Sequence, residues 1–351
     1  MLTKTLRSLL LATMLTSVAG MAAAQAITLR ATATSNDQDE DYDGLVVFKN
    51  YVENASNGDI AVELFIGTQL CAKGEECLAG VADGSIDIFI STSGGAAGIF
   101  PYIQVLDLPY LMSDDRVAEE VLSGDFVRFL RAKALADSDD KIRLMAVGNT
   151  GGWRNYANTK KRVTKPEDLA GLKLRTVPAD LPQVLAKGLG AAPTPIAWPE
   201  LFTSLQTGVV EGTANGITDV MNMKFPDAGL KYITLDGHSY MGAFWWMSND
   251  RFNGMTDAQK RVVLDGFAAL QQATFASPKR KEIAAYEGFK AAGGDIYVPT
   301  PDEKAAFKAA AAPVFDWFRA NVTGGSETLD AFTTAVEEAT AVVEAQRAAD
   351  M

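Results

Sequence analysis

Arg175, Trp198 and Asn215 stand at intervals in the stretch from Asp168 to Asn215, DLAGLKLRTVPADLPQVLAKGLGAAPTPIAWPELFTSLQTGVVEGTAN. Arg175 offers a planar fork of donors matched to a carboxylate, Trp198 a flat apolar face, and Asn215 both a donor and an acceptor. No nucleophile or general base accompanies them, so the set suits holding a small organic anion rather than reacting with it. The pattern predicts the elements that position them. A short helix is followed by a strand (Leu172-Lys-Leu174) delivering Arg175, a helix, a strand approaching Trp198, a helix closed by Gly208, and a turn ending at Asn215. This βα alternation places all three at consecutive strand ends, and in open α/β sheets those ends border the ligand crevice.

The rest of the chain offers little else for catalysis. His238 is the only histidine, so Ser-His or Cys-His chemistry would depend on it alone, with no G-x-S-x-G elbow nearby. Neither a P-loop nor a G-x-G-x-x-G is present, and no cofactor is expected. The 44 acidic residues leave a carboxylate-dependent hydrolase open without singling out a pair. A non-enzyme is the better reading. Cys71 and Cys77, in CAKGEEC, are expected to pair in an exported chain, and closing that short loop removes about 2.4 kcal/mol of unfolded-state entropy. Two cysteines and one histidine do not complete a zinc shell, so no metal site is expected.

The amino terminus predicts export. Lys4 and Arg7 form a basic region, Leu9 to Ala19 a short apolar one, and Ala24-Gln25-Ala26 an A-x-A cleavage site, with Ala22-Ala23-Ala24 as the alternative. Residues 1–26 therefore read as a secretory signal peptide, too short for a membrane span. No cysteine stands at the cleavage position, so no lipid anchor is expected, and the mature product is expected to be soluble and periplasmic. Roughly 325 residues remain, enough for two domains. A hydrophobic share of 48% with 22% charged residues is ordinary for a globular protein and excludes disorder as the default. The net charge of −12, about −14 without the leader, argues against nucleic-acid or anionic-membrane partners. It does not argue against an anionic ligand, because arginines in a cleft outweigh remote, screened carboxylates.

Periodicity gives the wider architecture. Ile27–Ala33 is expected as a first strand, Ser35 to Asp43 as an acidic polar loop, Leu45–Ser56 as a helix, and the alternating Ile60–Ile66 as a half-buried strand. Ile86 to Ile90 marks another strand, ending near Ser93; helices follow to Leu135, and Ile142–Val147 returns as a strand. Thr164 to Glu167 predicts a capping box on a short helix. Thr256 to Gln259 predicts another on a long helix reaching about residue 292 and bent near Pro278. Thr300 to Glu303 and Ser326 to Ala349 complete a helical carboxyl-terminal part. The apolar run Met241 to Trp246 reads as a buried strand, with Phe244 and Trp246 on one side and Trp245 on the other. Phe244 or Trp245 is a candidate cleft residue, and Ser93 and the Asn36–Asp39 loop are candidates as strand-end residues.

The segments GLKLRTVPADL, AAPTPIAWPELFTSLQTGVVEGTAN and GGWRNYANTKKRVTKPEDL resemble the substrate-binding proteins of tripartite ATP-independent periplasmic (TRAP) transporters, the DctP family. SNGDIAVELFIGTQL resembles the family's amino-terminal half, so the similarity covers nearly the whole mature chain. The resemblance implies a two-lobed α/β periplasmic-binding-protein fold with a ligand between the lobes. It places residues 27–150 and 240–280 in the first lobe, 151–239 and 281–351 in the second, with long helices bracing the back. It assigns Arg175 to the ligand carboxylate, Arg154 to the same anion or another polar group, Asn215 to the carboxylate or to orienting Arg175, and Trp198 to the cleft wall; Tyr156 can add a hydroxyl. Gly216 stands where many members carry proline, which is expected to loosen that turn. The implied partners are a large and a small membrane subunit with ion-gradient coupling. The expected ligand is a monocarboxylate with an apolar or aromatic body, with keto acids, uronates, dicarboxylates, sulfonates and zwitterions as alternatives. A binding protein for an ABC importer or a sensor kinase is the competing receptor reading.

Overall fold

The computed structural model describes residues 26–351; the expected signal peptide lies almost wholly outside the described residues. Nine strands form one sheet: β1 (Ile27–Ala33), β2 (Ile60–Ile66), β3 (Ile88–Thr92), β4 (Ile142–Asn158), β5 (Lys173–Thr176), β6 (Ala192–Pro195), β7 (Gly212–Asn215), β8 (Tyr232–Ser248) and β9 (Asp295–Tyr297). Their order is β2-β1-β3-β8-β4-β7-β5-β6, with β9 beside β8. Helical crossovers make β1 parallel to β2 and β3, and β5 parallel to β6 and β7.

Two long strands join the halves. β4 and β8 run antiparallel, from Ile142 opposite Ser248 to Asn158 opposite Tyr232. Their far ends thus serve different neighbours: β8 pairs with β3 through Ala243–Met247, and β4 pairs with β7 through Asn155–Asn158. Between those ends the register shifts from Asn149 to Trp153, where Gly151 and Gly152 take φ of 78° and 82°. This left-handed conformation favours glycine. The sequence pattern foresees a strand only to Val147; β4 continues through the glycine bulge because β8 accompanies it throughout. The result is a two-lobed α/β fold whose strand ends meet across a cleft.

Packing follows the strand alternation of β8. Phe244 and Trp246 stack on one face, with Phe100 at 4.9 Å from Trp246. Trp245 lies on the other with Leu29, Phe48, Phe267 and Leu270. A third cluster, with Leu201, Val210, Ile217 and Phe225, fills the second half. The helix Asp257–Ala291 touches all three, reaching the Phe244–Trp246 cluster through Phe275. Its Val263, Phe267 and Leu270 pack with the first half, its Ala285 and Phe289 with the second, and Pro278 lies between. The Thr256–Gln259 and Thr300–Glu303 capping boxes form as the pattern predicts.

Three local expectations change. The acidic stretch is not all loop: Asp39 caps the helix Glu40–Ala55 by accepting from the Asp41 amide, so Glu40, Asp41 and Asp43 occupy its first turn, where negative charge is favoured. Asp168 rather than Glu167 ties the next turn, accepting from the Thr164 amide and hydroxyl and the Lys165 amide. The last helix, Gly325–Asp350, expected beside residues 151–239, packs against the helices of residues 115–137: Phe332 meets Phe126 at 5.0 Å and Arg347 bridges to Asp114 at 2.9 Å. Cys71 and Cys77 form the expected disulfide, with Cα atoms 5.3 Å apart. No helix among the described residues is long and apolar enough to cross a membrane.

Candidate functional site

A cleft of about 480 Å³ opens where the carboxyl ends of β1, β3, β5, β6 and β7 converge on the middle of β4 and β8. Arg175, at the end of β5, is only 4% exposed. Its Nε donates to the Ile196 carbonyl at 2.9 Å, its guanidinium lies 5.7 Å from the Trp198 ring centre, and it forms no ion pair among the described residues. Burial first, then the positive charge of Arg154, pushes its guanidinium down to about 9, while Asp219 pulls the other way. A buried guanidinium fixed by a carbonyl and a ring, without a carboxylate, is a cation prepared for an incoming anion.

Arg154 reaches the same cleft from β4. Its Nε contacts Asp107 Oδ1 at 3.3 Å and one terminal nitrogen donates to the Ala214 carbonyl at 3.0 Å. Trp198 opens the turn before the helix Leu201–Gln206 and packs edge-on against Phe225. Asn215 ends β7, as a strand rather than the expected turn. Its Oδ1 accepts from Thr213 and its Nδ2 donates to Asp219 Oδ2 at 2.9 Å, so its amide orients Asp219 rather than Arg175. At Gly216 a Cβ would lie 1.6 Å from the Gly151 carbonyl oxygen. The close approach of two backbones needs a residue without a side chain.

The opposite wall is acidic. Asp39 and Asp41, from the helix start after β1, and Asp219, from the helix Ile217–Asn222, all line the cleft. Burial and then Asp41, Glu40 and Asp219 hold the Asp39 carboxyl well above the usual range. Burial followed by Glu40 raises Asp41 to about 8. Asp219 is raised by burial, against its Asn215 hydrogen bond and the two arginines. Asp41, Asp219, Thr150 and Met241 were not foreseen; the spacing of Asp219 one helical turn past Asn215 was the available signal.

Other expected residues take different places. Phe244 and Trp245 are fully buried and line no part of the cleft. β8 instead offers Met241, because its bulky rings fill the cores on either face of the sheet. Ser93 is buried beside the cleft and donates to Asp107 Oδ2 at 2.5 Å, so it acts on Arg154 through Asp107. Tyr156 stacks on His238 at 4.5 Å beside a cavity of about 40 Å³ behind the arginines. His238 meets Asp236 at 2.8 Å, which also accepts from Tyr110. In the Asn36–Asp39 loop, Asp39 and the preceding Ser35 reach the cleft, whereas Asn36 donates to the Asn222 carbonyl. The disulfide holds the loop whose residues Ala72 to Glu75 form part of the rim.

The profile of the DctP family, described as bacterial extracellular solute-binding protein, family 7, matches residues 31–321. The chain belongs to this family. This DctP-family receptor is 32% identical over 270 residues to a solute-binding protein of Verminephrobacter eiseniae, covering 76% of this chain and 77% of that one. It is 28% identical over 287 residues to the 2,3-diketo-L-gulonate-binding periplasmic protein YiaO of Escherichia coli, covering 81% and 84%. A TRAP periplasmic solute-binding protein of Bordetella bronchispeptica, with density assigned to pantoate, superposes with a TM-score of 0.80 at 28% identity, covering 88% of this chain and 98% of that one. The receptor is therefore a TRAP-type solute-binding protein, not an enzyme, of a family that works outside the cytoplasm with a membrane permease.

Proposed function

We propose that this receptor captures a hydroxylated organic acid and delivers it to a TRAP permease with a large and a small membrane subunit. The mature chain, cleaved after Ala26, would work in the periplasm. The ligand carboxylate sits on Arg175, with Arg154 beside it and Trp198 against the body. The observation that carries the reading is Arg175 itself: buried, in the cleft, bonded internally only through Nε. The acceptor-rich wall of Asp39, Asp41 and Asp219 favours a ligand with hydroxyl donors over the apolar or aromatic body expected from sequence. Diketogulonate and pantoate, named for two relatives, each combine a carboxylate with hydroxyls. Residues 27–150 and 240–280 act as one lobe, and 151–239 with 281 to about 324 as the other. The bulge between Asn149 and Trp153 and the Pro278 position support closure there.

Thermal unfolding of the mature protein against sugar acids, short hydroxy acids, aromatic monocarboxylates and dicarboxylates tests this. Ligand at a hundredfold excess over its dissociation constant adds about 2.7 kcal/mol of stability. Hydroxy acids are expected to shift the transition in the wild type and not in Arg175→Ala, since a charged hydrogen bond of this sort contributes about 1.5–3 kcal/mol. A shift that survives in Arg175→Ala moves the anion site to Arg154; a response confined to aromatic acids overturns the hydroxylated class.

A further inference from the structure

At the edge of the cleft, the start of the helix Glu40–Ala55 meets the helix Ile217–Asn222, and three carboxylates converge. Oxygens of Asp39, Glu40 and Asp219 all lie within 4.8 Å of one another, and these residues are 2%, 0% and 2% exposed. Acidic side chains gather on many surfaces without consequence, but here Glu40 is completely enclosed and, among the described residues, neither of its carboxylate oxygens makes a well-formed hydrogen bond. The Thr218 hydroxyl on the facing helix and the Glu40 amide approach it and lower its carboxyl without offsetting burial. Asp41 Oδ1 is also buried without a partner among the described residues. An unpaired buried carboxylate is strongly unfavourable unless a proton or a cation accompanies it.

No cation among the described residues bonds Glu40. Lys281 acts on it at a distance but bridges directly to Asp43 at 2.8 Å, as Arg280 does at 3.5 Å. Arg154, paired with Asp107, and Arg175, which has no ion pair, act on Asp219 without forming a salt bridge to it. A bound solute does not reach Glu40, which forms no part of the cleft lining. The donors are all oxygen, with no nitrogen or sulfur, which suits a hard cation and not zinc or copper. Their span fits within a calcium shell, about 5 Å across at metal–oxygen distances of about 2.3–2.6 Å.

We propose that Asp39, Glu40 and Asp219 form a binding site for a hard divalent cation of the calcium type. The ion would tie the segment after β1 to the helix after β7, fastening the two halves of the sheet where Asn36 already bonds the Asn222 carbonyl. Because Asp219 also holds Asn215 at the cleft, ion and solute binding are linked, and each changes the affinity for the other by the same factor. The site does not depend on which solute the cleft takes.

The test uses the mature protein stripped with chelator and returned to buffer of constant ionic strength without solute. Calcium titration by calorimetry is expected to give one site per chain, and thermal unfolding a rise that potassium chloride at matched ionic strength does not reproduce. Glu40→Gln is expected to weaken the calcium response at least roughly tenfold while leaving the stripped protein no less stable, since it removes a buried like charge. Asp219→Asn provides the same readout from the facing helix. No stoichiometric binding at about 1 mM calcium, the weak end for extracellular sites, overturns the proposal and leaves the cluster as a proton-holding one. Equal binding in wild type, Glu40→Gln and Asp219→Asn overturns it as well.

Discussion

The two walls of the cleft leave opposite kinds of group unpaired, the arginine wall coming from one half of the sheet and the acidic wall from both. On the β5–β6 side, Arg175 is held by a carbonyl and a ring and has no anion. On the β1 side, Asp41 lines the cleft with a buried Oδ1 that has no donor among the described residues, and Glu40 lies behind it. The first wall is organised before any ligand arrives, because backbone groups and an aromatic ring fix its cation. The second is held by no such partners, and burial first, then the neighbouring carboxylates, pushes its carboxyl groups upward. A carboxylate anchor therefore depends on the arginine wall, and the chemistry of the rest of the ligand on the acidic one.

The largest expected effect breaks the support of the arginine wall. Arg154 is paired with Asp107, both nearly buried, and Ser93 holds the other Asp107 oxygen. Asp107→Ala strands the guanidinium, and loss of one partner of a buried pair costs about 3–5 kcal/mol. Urea denaturation should show that loss, with Ser93→Ala losing only about 1 kcal/mol. A loss below about 1 kcal/mol in Asp107→Ala would mean the Ala214 carbonyl alone suffices for Arg154.

The acidic wall should show itself through pH in metal-free, solute-free buffer. Glu40 has its folded pKa raised from 4.5 to about 7, by burial and then Asp219. A carboxyl raised on folding favours the native state fully below the unfolded value, and that contribution is lost as pH rises through the folded one. Stability should therefore fall between pH 4.5 and about 7, by up to about 3 kcal/mol from this group. Asp39, Asp41 and Asp219 carry the same sign, and Lys281 opposes it. Thermal unfolding across this window should give a flatter profile for Glu40→Gln. An identical slope would place the titration on another group.

The same contrast explains what was legible in the sequence. Arg175, Trp198 and Asn215 each end or follow a short strand, so local pattern is enough to bring them to one cleft. The acidic wall depends on distant segments: Asp39 and Asp41 meet Asp219 only because β1 and β7 end on the same opening, and no local period encodes that. Phe244 and Trp245 show the converse. Alternation separates their faces correctly, yet both faces of a central strand are core when helices cover the sheet on each side. The helix start at Glu40 was hidden because acidic residues read as loop when the cap at Asp39 is not recognised.

The smallest expected effect separates the two supports of Arg175. Its ring contact with Trp198, at 5.7 Å, is worth about 0.5–2 kcal/mol depending on desolvation, whereas the Ile196 carbonyl fixes Nε directly. Trp198→Leu keeps an apolar wall and removes the π-face. If the carbonyl sets the geometry, calorimetric affinity for the best acid should weaken by about that amount, with Trp198→Phe intermediate. It should stay well above the affinity left in Arg175→Ala. Equal losses in Trp198→Leu and Arg175→Ala would make the ring, not the backbone, the element that holds the cation ready. The arginine wall would then be no more organised in advance than the acidic wall it faces.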